Sequence, residues 1–359
     1  MKKLKTRNIT LDIIRLVALL FVISVHFFMN SKFYSVKVSG INMLIMIIFQ
    51  SFFLICVPLF LILTGYLQNK KKLEKKYYKG IIKILLVYLI MSIIYSVFIK
   101  LFVNKPMNIK IFILNLLKFK GTDYAWYIEM YIGLFLLIPF LNIIFNKLNE
   151  KENKYLLITL VCLVCIPSIL NIYRFDTTTW WSKPCISNKY VKLVPSFWTG
   201  IYPILYYYLG AYLSKYKLNI SIKKNILYIG LLTILFGLFN FWRSNGHTYI
   251  FSSWNRYQSP FIFMIALLTF NLLLNIKVNK PSKKVQYIFK LTTDSVLGAY
   301  LISNMFDKVV YKFLNEHVVN ILNRWMYAPI VILIVFICSL GLSICVELLY
   351  RLIKNKSFS

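Results

Sequence analysis

Ile9-Thr10-Leu11-Asp12-Ile13-Ile14-Arg15, then Leu16 through Val25, then His26-Phe27-Phe28-Met29, is the stretch on which the reading of this chain turns. A helix of about twenty apolar residues crosses a hydrocarbon core of about 30 Å, and this run is long enough to do so. Two ionisable groups interrupt it. A charge at membrane depth costs roughly 2.5–3.5 kcal/mol on insertion scales, so Arg15 and His26 demand a functional reason. Eleven residues turn a helix through about 1100°, within about 20° of whole turns, and raise it by about 16 Å. The two side chains therefore share a face, one near each end of the span.

The same apolar pattern recurs along the chain. Of 359 residues, 59% are hydrophobic, and the mean hydropathy of +0.67 excludes a soluble domain. Ten spans are expected, near 9–29, 43–68, 81–103, 125–146, 155–174, 200–214, 226–243, 259–276, 293–313 and 327–350; the sixth is short. The fold class is thus all-α, a polytopic membrane helical bundle. Met1-Lys2-Lys3-Leu4-Lys5 resembles the start of a signal peptide, but the apolar run is too long and no small-residue cleavage site follows Met29, so the segment is expected to be retained.

The net charge of +32 could suggest nucleic acid. The lysines, however, sit in short loops between apolar segments, where topology signals belong, and no basic stripe marks a soluble domain. Nucleic-acid binding is excluded on that distribution. With the N-terminus in the cytoplasm, 26 of the 43 Lys and Arg fall on the cytoplasmic side, which favours both termini there. Lys70-Lys71-Lys72-Leu73-Glu74-Lys75-Lys76 is the strongest such signal; it reads as topology and anionic-lipid contact, or as attraction of an anionic cytosolic molecule.

Depth then sorts the polar groups. Arg15 lies in the cytoplasmic half of the first span, with Asp12 placed to neutralise or orient it. His26, Glu129 and Asp307 fall at one level near the outer surface. A histidine oriented by a carboxylate suits general-base work on a hydroxyl; the bland alternative is a histidine bonding across helices and an arginine snorkelling to lipid phosphate. The outer loops 175–199 and 243–258 carry Trp180, Trp181, Trp198, Arg243, His247 and Trp254. These aromatics read as an interfacial belt or as platforms for sugar rings. Five of six cysteines lie in apolar segments and read as packing, the Cys162–Cys165 pair included, while Cys185 has no evident disulfide partner. Three histidines without ligand spacing give no metal centre, and nucleophile-elbow, P-loop and dinucleotide motifs are missing.

With these residues in view, the chain resembles acyltransferase family 3, integral-membrane enzymes that acylate extracytoplasmic glycans. Arg15 and His26 match the family's Arg, ten residues, His. Val57-Pro58-Leu59-Phe60-Leu61-Ile62-Leu63-Thr64-Gly65-Tyr66-Leu67 resembles its second-helix motif, and Trp126-Tyr127 with the following Ile128–Pro139 is similar to its Trp-Tyr motif. Tyr202–Tyr212 and Leu297-Gly298-Ala299-Tyr300-Leu301-Ile302 are also similar to family segments. Departures exist: Ser303-Asn304 follows where many relatives carry a His, Asp123-Tyr124-Ala125 replaces another His, and Lys79 and Lys83 only approximate a basic motif. No fused esterase-like domain is expected, so transfer would finish within the bundle or on a separate partner.

The resemblance implies one acyltransferase domain over 1–359 in a bacterial cell membrane, a source that the Lys-, Ile-, Asn- and Tyr-rich composition also suggests. It implies acetyl-CoA as donor, no metal, and a glycan acceptor, with glycan-synthesis proteins as partners. Arg15, Lys79 and Lys83 would hold the donor. His26 would deprotonate the acceptor or carry the acyl group, with Glu129 or Asp307 orienting it. Trp126, Trp181, Arg243 and Trp254 would contact the acceptor. A transporter or flippase for an envelope glycan or lipid-linked precursor is the alternative, and a structural subunit of an export complex a third.

Overall fold

The opening apolar run forms one uninterrupted helix, α1 (Ile9–Asn30), in the computed structural model. Residues 7–103, 108–184, 189–276, 278 and 281–356 are described; Cys185 and the basic start Met1–Lys5 lie outside them. After α1 come α2 (Gly40–Phe53), α3 (Cys56–Gln68), α4 (Lys75–Tyr78), α5 (Gly80–Phe102), α6 (Ile109–Leu117) and α7 (Trp126–Lys147). The second half adds α8 (Glu150–Leu170), α9 (Thr178–Ser182), α10 (Tyr202–Lys215), α11 (Ile222–Ser244) and α12 (Pro260–Leu274). It ends with α13 (Lys283–Asp294), α14 (Val296–His317) and α15 (Ala328–Lys356). The fold is an all-α polytopic bundle. Extended pairing among the described residues is limited to two isolated bridges, Lys37 with Thr248 and Val38 with Asn245, which tie the loop after α1 to the loop after α11.

Among the described residues, 8 helical stretches are long and apolar enough to cross a membrane, two fewer than the ten expected. The shortfall has a physical cause. Helix α10 has only 14 residues, about 21 Å of rise. Helix α14 has 22 residues but carries Ser303, Asn304, Asp307, Lys308 and Glu316. Both are largely buried by their neighbours and need little apolar surface of their own. Helices α2 and α3 count as one crossing, broken at Leu54–Ile55. Pro58 explains the break, since it has no N–H to return to the carbonyl four residues back.

The tightest crossing is between α3 and α10. A Cβ at Gly65 would strike the Tyr207 carbonyl oxygen, and one at Gly210 would strike the Ile62 carbonyl oxygen, so the two backbones touch. Small residues allow such approach where no hydrophobic force separates helix from lipid. Polar side chains lock the crossing: Asn69 Nδ2 donates to Ser214 Oγ at 2.9 Å, and the Tyr207 hydroxyl donates to Asn142 Oδ1 at 2.6 Å. Asn142 in turn donates to the carbonyls of Gln68 and Lys71, both at 2.8 Å, and so closes the C-terminus of α3.

Helix α14 runs parallel to α1 along its whole length. At one end Arg7 Nη2 donates to Thr293 Oγ1, just before α14, at 2.5 Å. At the other, Asn315 Nδ2 donates to the Asn30 carbonyl at 3.1 Å. Buried Arg324 gathers three carbonyls there: Val318 at 2.8 Å, Ser31 at 2.9 Å and Asn315 at 3.2 Å. These are helix-end carbonyls that have no partner within their own helices. The register of α1 against α14 is thereby set at both ends.

Gly65→Val should lower thermal stability in detergent, because overpacking costs about 1–3 kcal/mol and the obstacle here is backbone. Gly133→Ala, with nothing within 4 Å of the added Cβ, should not lower it. Equal melting temperatures for wild type and Gly65→Val would refute the backbone contact.

Candidate functional site

Arg15 projects from α1 into a cavity of about 360 Å³ bounded by α1, α3, α5, α7 and the α13–α14 junction. Lys83 on α5 and Gln68 at the end of α3 share the mouth with Asp294. Deeper in, the lining becomes apolar and aromatic, with Val22, Phe60, Tyr127 and Tyr300. Val22 is one turn short of His26, about 6 Å of rise. The space is polar where it begins and apolar where it ends.

The acids near this mouth are already committed. Asp12 takes a bidentate bond from Arg7, Nε to Oδ2 at 2.5 Å and Nη2 to Oδ1 at 2.9 Å, and so is not the partner of Arg15 expected from the sequence. Asp294 accepts from Arg351 Nη2 at 2.8 Å, while Arg351 Nε donates to Glu347 at 2.8 Å. Among the described residues, Arg15 has neither a hydrogen bond nor an ion pair. A half-buried guanidinium that faces a cavity and is bonded to neither of the nearby carboxylates is an anion-binding group in waiting.

His26 lies buried at the far end of α1. Its ring stacks on Tyr124, centroids 3.6 Å apart. Asp307 Oδ2 lies 4.0 Å from Nδ1 and accepts the Tyr124 hydroxyl at 2.7 Å. Asn30 Nδ2 adds a bond to the same hydroxyl at 3.2 Å. Both His26 Nδ1 and Asp307 Oδ1 are buried without a hydrogen-bond partner. Unsatisfied polar atoms are costly to bury, and a facing imidazole and carboxylate left 4.0 Å apart can close on each other when a substrate arrives.

A family model described as an acyltransferase domain matches residues 8–344. The chain belongs to acyltransferase family 3. No curated protein and no solved structure matches it. At the level the family shows, the chemistry of this multi-pass membrane protein is acyl transfer.

In this acyltransferase the remaining candidates scatter. Glu129 is exposed on α7 and has no ion pair with His26, so among the described residues the carboxylate beside the imidazole is that of Asp307. Equal depth puts two groups at one height but leaves their direction around the helix open. Lys79 is exposed and does not line the cavity. Trp126 (39% exposed) stacks with Tyr257 and Trp181 (43% exposed) with Tyr173, both at the surface.

Arg243 and Trp254 correct the sequence reading outright. Both are fully buried, with the guanidinium 4.1 Å from the Trp254 ring and 4.7 Å from that of Trp180. Arg243 Nη1 also donates to the Ile172 carbonyl at 2.7 Å. This cation–aromatic cage pins the loop after α8 to α11 and offers no surface to a glycan.

Four residues of the network around the imidazole escaped the sequence reading as functional: Tyr124, stacked on the ring, Asn30, bonded to the Tyr124 hydroxyl, and the Tyr95–Asn304 pair beyond them. Tyr124 and Asn304 stand at or beside the two places where the chain departs from its family's histidines. The Tyr95 hydroxyl lies 2.9 Å from Asn304 Oδ1 and 2.9 Å from Asp123 Oδ2, and can donate to one at a time. Those departures were the available signal.

Arg351→Ala should release the Asp294 carboxylate at the cavity mouth and weaken binding of coenzyme A, used as an anionic probe, about fivefold, or about 1 kcal/mol. Asp294→Asn added to Arg351→Ala should restore it. Calorimetry on the purified variants checks both, and a loss that Asp294→Asn fails to rescue would show a merely structural arginine.

Proposed function

We propose that this protein transfers an acyl group, in the simplest case acetyl, from cytosolic acyl-CoA to a hydroxyl of an extracytoplasmic cell-envelope polysaccharide in a bacterial cell membrane. The observation that carries the reading is Arg15, without an ion pair among the described residues, at the wall of a cavity of about 360 Å³ whose lining passes from Lys83 and Gln68 to an apolar end one turn from His26. Acyl-CoA has the matching shape, a polyanionic head on a thin neutral arm. Arg15 and Lys83 would take the head, and the aromatic end the thioester. The lysine excess favours an orientation with the mouth toward the cytosol and His26 toward the exterior.

The distance supports a donor-gripping role for Arg15. It sits about 16 Å below His26 along the helix axis, too far to polarise a carbonyl attacked at the imidazole, so it grips phosphate. At the other end, Asp307 faces Nδ1 and leaves Nε2 for substrate. Nε2 would accept the proton of the acceptor hydroxyl as its oxygen attacks the thioester carbonyl. The C–S bond then breaks, the ester forms, and the proton passes to the departing thiolate to give free CoA. Asp307 stabilises the transient imidazolium, and Tyr124 holds Asp307 in place.

His26→Ala should cut transfer about 10²–10⁴-fold, the usual worth of a general base, with normal protein levels in the membrane. Arg15→Ala should weaken acyl-CoA binding at least about tenfold, the loss of one charge-assisted contact, and Arg15→Lys should retain part of it. The measurement is label transfer from acetyl-CoA to envelope polymer in isolated membranes, with CoA release read in parallel. A transporter would produce neither signal. Wild-type transfer in His26→Ala would defeat the assignment.

A further inference from the structure

A second cavity, of about 480 Å³, lies at the opposite end of α5 from the first. Lys83, Ile84 and Val87 wall the first cavity, and Tyr95, Ser96 and Ile99 wall the second. Lys83 and Ser96 are thirteen residues apart, about 20 Å of rise, so the two cavities are stacked through the depth of the bundle. Helix α14 spans the same interval, with Tyr300 on the first cavity and Lys308 on the second.

The second cavity differs in chemistry. Hydroxyl, amide, ammonium and carboxylate groups from Ser96, Asn115, Lys120, Asp123 and Lys308 line it, and its size falls within the range of small-molecule sites. Its floor is Tyr95, buried and in hydrogen-bond reach of Asn304, one turn before Asp307. Asp123 precedes Tyr124, the ring stacked on His26. Asp123 and Tyr124 thus connect the cavity wall to the imidazole. Lys308 is paired with Asp123 at 3.1 Å, whereas Lys120 is exposed and has no ion pair among the described residues. The site thus keeps a net positive charge.

One wall says how an occupant arrives. Helix α6 is nine residues long, has no buried residue, and leaves Ile109, Ile111, Ile113, Leu114 and Leu117 exposed. It is too short to cross a bilayer, and a contiguous aliphatic surface of this kind belongs in lipid rather than water. The cavity therefore opens where bilayer meets water.

We propose that this second cavity is the acceptor site, and that the acceptor is an anionic saccharide, bearing phosphate or carboxylate, presented at the membrane surface. The inference rests on the acyl-transfer reading. Saccharide hydroxyls meet Ser96 and Asn115, the anion meets Lys120, and the acceptor hydroxyl passes Tyr95 to reach His26.

The test uses the full chain in its own membranes. Ser96→Trp fills the cavity, and should reduce acylation of envelope saccharide, read by mass spectrometry, at least tenfold. Binding of coenzyme A to the purified variant should stay within twofold of wild type. Lys120→Glu, on the exposed rim where folding is not at stake, should cause a comparable loss, and Lys120→Arg should not. Normal acylation in Ser96→Trp overturns the site, and normal acylation in Lys120→Glu overturns the anionic acceptor. Should Ser96→Trp fail to fold and lose coenzyme A binding as well, Lys120→Glu decides alone. A wild-type protein that neither binds coenzyme A nor acylates any saccharide would instead bring down the acyl-transfer reading itself.

Discussion

The backbone contact between α3 and α10 is the constraint on which the interior depends. Helix α3 supplies Phe60, Thr64 and Gln68 to the Arg15 cavity, and its place is set by how closely Gly65 and Gly210 let it approach α10. Water drives soluble helices together, but in lipid that force is absent and close backbone packing must replace it. The Asn69, Asn142 and Tyr207 hydrogen bonds reinforce the contact because nothing else in a bilayer would satisfy those groups. Two of the segments that resemble the family, around Gly65 and Gly210, are therefore two sides of one crossing.

A second principle is the allotment of charge. Asp12 goes to Arg7 and Asp294 to Arg351, and Arg15 is left to the cavity. Farther along α1, Arg324 uses its donors on helix-end carbonyls and holds α1 against α14, which keeps His26 beside Asp307. The cationic residues thus fall into two kinds: those consumed by the fold and those left for a ligand. Arg243, sealed among aromatic rings, belongs to the first kind.

Much of this was legible beforehand. Apolar runs long enough to span a bilayer announced the bundle, and the interval between Arg15 and His26 announced a shared face. The depth argument brought Asp307 to the level of His26, and the two lie 4.0 Å apart. The same argument brought Glu129 to that level too, yet α7 turns it outward. Trp254 and Arg243 looked like surface groups because each stands in a polar loop region, while the cage around them is assembled from segments far apart in the chain.

What the sequence by itself determined is whatever follows from a period and a length: all-α architecture, membrane spans, and which residues on one helix share a face. The tertiary structure alone decided direction around each helix and the partner of each charge. Asp12 was three residues from Arg15 and five from Arg7, and only packing chose Arg7. The physical reason is that depth in a membrane is a one-dimensional property of a segment, whereas an ion pair, a stacked ring or a cavity wall requires two segments to be placed in all three dimensions.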